Sequence, residues 1–66
     1  MTTGTVRWFN AERGFGFIRP DEGPDVFAYS TAITDEDLPA LHEDQRVEFR
    51  VVRGPTGLLA DRVRLL

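Results

Sequence analysis

Sixty-six residues are expected to make one small domain over 1–66, with a single thin core. Such a core supplies only roughly 3–5 kcal/mol of net stability. A net charge of −3 and the absence of cysteine argue against a strongly basic binder, a disulfide framework and a thiolate metal centre.

In chain order, "TVRWFN" (5–10) is rich in β-formers and runs into "AERG", a turn ending at Gly14. "FGFIRP" (15–20) is a second short strand closed by Pro20, and "DEGPD" (21–25) is a turn by composition. "VFAYS" (26–30) is the third strand. "TAITDEDLPALHEDQ" (31–45) is a long connection, in which Thr34 with an acid three residues on can cap one helical turn that Pro39 limits. "RVEFRVVR" (46–53) alternates, with Val47, Phe49 and Val51 on one face and Arg46, Glu48 and Arg50 on the other. "GPTG" (54–57) is a hairpin turn, and "LLADRVRL" (58–65) is the fifth strand. Five short strands and no regular helix predict an all-β fold, a five-stranded antiparallel Greek-key β-barrel of the OB-fold type. Strand count alone leaves an SH3-like barrel as the competitor.

"MTTGTVRWFN" has no basic segment followed by an apolar run, and no apolar stretch approaches the ~18 residues that span a membrane. A cytoplasmic protein with no membrane partner is therefore expected. Charge is unevenly spread. Residues 1–20 carry three Arg against one Glu, residues 21–45 carry eight acids and no Lys or Arg, and residues 46–66 carry five Arg against two acids. Every basic residue is Arg, which stacks on bases as well as pairing with phosphate.

Six of the seven aromatics fall in the first 29 residues. In "RGFGFI" (13–18), Phe15 and Phe17 share a strand face, and Gly14 and Gly16 flank them. Glycine packs nothing, so the pattern fits rings that face outward, with small residues that let a backbone or ligand come close. Gly16, Ile18, Val26 and Ala28 then fill a narrow interior, and Phe15, Phe17, Phe27 and Tyr29 form an outer two-strand patch. Phe49 belongs with Val47 and Val51 in the core. Trp8 shares parity with Val6, so alternation alone puts it inside unless a bulge or twist intervenes. Exposed aromatics mark a binding surface, and Arg7 and Arg13 lie near this one in sequence. Rings for bases and arginines for phosphates are what a single-stranded nucleic acid requires. A small β-barrel protein-interaction module using the same patch is the alternative from a different class.

At this point "GTVRWFNAERGFGFIRPDEGPDVFAYSTAI" (4–33) resembles the bacterial cold-shock domain. "RGFGFI" resembles that family's first RNP-type motif and "VFAYS" its second, and the looser likeness of "VEFRV" and "GPTG" extends it to about residue 63. The resemblance implies a five-stranded OB-type barrel that binds single-stranded RNA or DNA with low sequence specificity, as an RNA chaperone affecting transcription or translation. It implies stacking by Trp8, Phe15, Phe17, Phe27 and Tyr29, with Arg7 and Arg13 in place of family lysines. Phe9, Ser30 and Leu38 are lesser candidates. Four departures stand out: Tyr29 for a usual His, Ser30 and Leu38 for usual Phe residues, and Asp44 for a usual glycine. The acidic run Asp35–Asp37 borders the nucleic-acid path in the family, so weaker or shorter contact is expected.

No catalytic set is legible. His42 is the only histidine and sits among acids, and no Ser or Thr has a partner that the sequence can place. The acids lack EF-hand spacing. No enzyme activity, cofactor, metal or small-molecule substrate is expected, and the protein is expected to be a monomer.

Overall fold

The computed structural model describes residues 1–33, 41–55 and 57–66. Its strands are β1 (Thr2–Asn10), β2 (Phe15–Pro20), β3 (Val26–Tyr29), β4 (Arg46–Gly54) and β5 (Gly57–Leu65), and a 3-10 turn runs over Ser30–Ala32. They close into a barrel in the order β1-β2-β3-β5-β4. The expected turn after Thr34, with Pro39, lies outside the described residues.

β1 begins three residues earlier than its β-propensity suggests, because its first half is held on both edges. Thr2 to Thr5 pair with Phe49 to Arg46 of β4, while Gly4 to Asn10 pair with β2. Gly4 permits this close approach, since a Cβ there would lie 2.5 Å from the Arg19 carbonyl oxygen. β2 and β3 form a hairpin in which Phe15 faces Tyr29 and Phe17 faces Phe27. The barrel closes through Phe27 and Leu59, where β3 and β5 run parallel, so the predicted antiparallel order holds for every other strand pair.

The core is made of Val6, Ile18, Val26, Ala28, Leu41, Val47, Phe49, Ala60 and Val63, none more than 4% exposed. Burying Phe49 alone contributes about 1.5–3 kcal/mol, a large share in so small a domain. Val51 departs from expectation and is 38% exposed. Alternation sets which way a side chain points, not whether anything covers it, and opposite Val51 stands only Ala60.

Candidate nucleic-acid interface

The site begins with a β-bulge in β1. Val6 stands opposite Ile18, and Trp8, two residues on, stands opposite Phe17, only one residue back along β2. Arg7 is thus the extra residue, and the side-chain phase flips across it. Val6 is 1% exposed and Trp8 is 42% exposed. The parity between Trp8 and Val6 is broken by this one residue.

Past the bulge, Phe9 pairs with Gly16 and packs against the core. A Cβ on Gly16 would lie 2.7 Å from the Phe9 Cα and 2.8 Å from its Cδ2, and it would also clash with the Trp8 carbonyl oxygen. Gly16 is therefore empty on the inside so that β1 and the Phe9 ring can approach. Phe9 sits on the opposite side of the sheet from Trp8, outside the ring cluster.

Five rings meet on the outer face of β1, β2 and β3. Trp8 meets Phe15 and Phe17 edge-on, with centroids 5.8 and 5.4 Å apart. Phe17 lies 4.4 Å from Phe27, Phe15 lies 6.3 Å from Phe27, and Phe27 stacks near-parallel to Tyr29 at 6.1 Å and 12°. Each such contact adds about 0.5–1.5 kcal/mol beyond its buried area. The rings thus hold one another in place while staying accessible: Phe15, Phe17 and Phe27 are half-buried and Tyr29 is 42% exposed.

The cations differ in their freedom. Arg7 lends Nη1 to Asp25 at 3.0 Å. Asp25 immediately precedes β3, and this acidic partner has no signature in the sequence, because the two lie 18 residues apart and meet only through strand register. An exposed pair of this kind is worth about 0–1 kcal/mol, little enough for a phosphate to displace. Arg13 is exposed and joins no ion pair among the described residues. Its backbone N–H donates to Asn10 Oδ1, and Gly14 turns the chain at φ 76°. Ser30 is exposed beside Tyr29 and donates its N–H to the Gly14 carbonyl at 2.8 Å, which ties the end of β3 to this turn. Leu38 and the acidic run 35–37 lie outside the described residues.

A separate polar cluster braces the barrel. Arg46 donates to both oxygens of Asp21 at 2.7 and 2.9 Å and to Thr5 Oγ1, and Thr3 Oγ1 donates to Asp21. The Arg46 guanidinium, helped by Thr3, holds the Asp21 carboxyl well below the usual carboxylate range. Asp21 in turn raises the Arg46 pKa. Among the described residues no three His, Asp or Glu side chains gather where a metal could sit.

Comparison with known proteins agrees with this geometry. Residues 2–66 match the family described as the 'Cold-shock' DNA-binding domain. The chain is 54% identical over 65 residues to cold shock-like protein CspA of Stigmatella aurantiaca, covering 97% of this chain and 96% of that protein. It is 50% identical over 66 residues to cold shock-like protein CspLB of Listeria monocytogenes, with both chains covered fully. Its fold is similar to a solved structure described as Drosophila Unr CSD456, with a TM-score of 0.81 at 27% identity. The alignment covers 98% of this chain and 26% of that one.

Proposed function

The chain belongs to the cold-shock DNA-binding domain family, and within that family we propose that it is a binder of unpaired RNA or DNA that keeps transcripts unfolded. The observation that carries this reading is the contiguous outer patch of Trp8, Phe15, Phe17, Phe27 and Tyr29. Successive bases stack on such rings at about 1–3 kcal/mol each, with little dependence on sequence because every base has a π-face. Arg7 and Arg13 meet phosphates at the patch's edge. A strand held this way is withheld from base pairing, so the chaperone action needs no ATP, metal or cofactor. The protein acts as a monomer in the cytoplasm and influences transcription or translation through the strands it holds.

The test uses a labelled RNA hairpin whose fluorescence reports opening. Added protein should raise the open fraction in proportion to its concentration. Excess unlabelled single strand should reverse the effect and an equal mass of duplex should not. A hairpin that stays closed at saturating protein would contradict the chaperone reading.

A further inference from the structure

Three arginines, from β4 and β5, converge on a cleft that Met1 also lines. Arg50, Arg62 and Arg64, with Met1, line an opening of about 450 Å³, and no acidic side chain among the described residues lines it. Two of the three are braced from outside the lining. Arg50 gives Nη2 to Asp61 at 3.3 Å, and Arg64 gives Nε to Glu48 at 2.5 Å. Each pair engages one nitrogen and leaves the other donors of that guanidinium available.

Arg62 makes no ion pair or side-chain hydrogen bond among the described residues. Its backbone stands at φ 53°, in the left-handed region that disfavours any residue with a Cβ. The pairing explains why. Glu48 faces Arg64 and Arg50 faces Asp61, so β5 spends three steps where β4 spends two. This irregularity places Arg62 beside Arg50 and Arg64, a gathering of like charges in strained backbone. It occurs in a chain whose overall charge is −3.

We propose that this cleft binds the phosphate backbone of a nucleic-acid strand as a second site, through charge and guanidinium hydrogen bonds and without reading bases. The proposal rests on the single-strand reading above. A strand lying on the rings brings its own phosphates to the second face at high effective concentration, and the guanidinium fork suits phosphate oxygens. Contact then extends from β1–β3 round to β4–β5. The acidic stretch of a second copy of this chain is the competing occupant.

Arg62→Asn removes the charge and keeps a residue that tolerates the left-handed backbone. Against a twenty-nucleotide single strand at low salt, it should weaken binding several-fold. It should also flatten the plot of log affinity against log salt by about 0.7 for each phosphate that is no longer neutralised. A six-nucleotide strand that occupies only the rings should bind as before. Inorganic polyphosphate, which has no bases, should shift the NMR side-chain signals of Arg50, Arg62 and Arg64 and leave the Trp8 indole signal in place. Unchanged affinity and salt slope for the twenty-mer would overturn the proposal. So would self-association of the free protein at low salt that Arg62→Asn abolishes, since the cleft would then hold a second copy. If polyphosphate shifts the arginines but Phe17→Ala leaves oligonucleotide binding intact, the ring reading fails and the phosphate cleft stands.

Discussion

Trp8 faces Phe17 across the β1–β2 ladder, although Val6, two residues before it, faces Ile18. That one-residue slip at Arg7 carries the indole from the barrel interior to its surface. It also turns Phe9 inward over Gly16. The share of the patch that β1 supplies depends on it, because Trp8 is the ring that β1 contributes to the cluster.

Phe15, Phe17 and Phe27 should separate binding from stability. Alanine at any one should weaken single-strand binding by about 1–3 kcal/mol and leave the fold largely intact. Phe49→Ala removes a fully buried ring and should cost about 3–5 kcal/mol of stability, enough to unfold most of the population. Isothermal titration with urea denaturation of each variant reads both effects. The reverse pattern would mean the faces are assigned the wrong way round.

Asp44 occupies a left-handed position, with φ 70°, a conformation that favours glycine. Its N–H still donates to the Val6 carbonyl at 2.8 Å, so the turn itself is retained. Asp44→Gly should raise stability by about 1 kcal/mol through relief of that conformation. The expected observation is a higher urea midpoint at an unchanged slope. A lowered midpoint would show that the Asp44 side chain contributes more than its backbone costs.

The Asp21–Arg46 pair makes stability pH-dependent in one direction. The Asp21 carboxyl is depressed in the folded state by Arg46 and Thr3, while in the unfolded chain it titrates near its ordinary ~3.9. Its contribution is therefore present above about pH 4 and is lost as pH falls from there through the depressed folded value. Asp21→Asn should flatten the acid limb of a plot of urea midpoint against pH, and Arg46→Gln should do the same. A limb as steep in both variants as in the parent would place the acid sensitivity elsewhere.

Ser30 is exposed next to Tyr29, at the edge of the ring patch. Ser30→Phe should tighten single-strand binding by up to about 1–3 kcal/mol if the new ring stacks fully. The gain should persist at high salt, because stacking is not screened as charge is. No gain would place the end of the strand's path at Tyr29.

Much of the fold and of the patch is legible in the sequence. Gly14 and Pro20 bracket β2 in sequence as they do in space, and Gly16, Ile18, Val26 and Ala28 line the inside as their small and aliphatic character suggests. The features that escape are those set by a distant strand. The first residues of β1 become strand because β4 and the end of β2 lie beside them. The parallel contact of Phe27 with Leu59 depends on barrel closure, and the pairing of Arg7 with Asp25 depends on register. Residue alternation alone places Trp8 inside, because a bulge leaves no mark in local composition. Only the family resemblance points outward.

Tryptophan fluorescence tests the central claim most directly, since Trp8 is the single tryptophan and sits in the patch. Titrated with a short pyrimidine-rich single strand, its emission should be quenched saturably, with a far smaller response to duplex at the same nucleotide concentration. Equal responses to single strand and duplex, or no quenching while binding is detected by another method, would contradict an account in which bases stack on these rings.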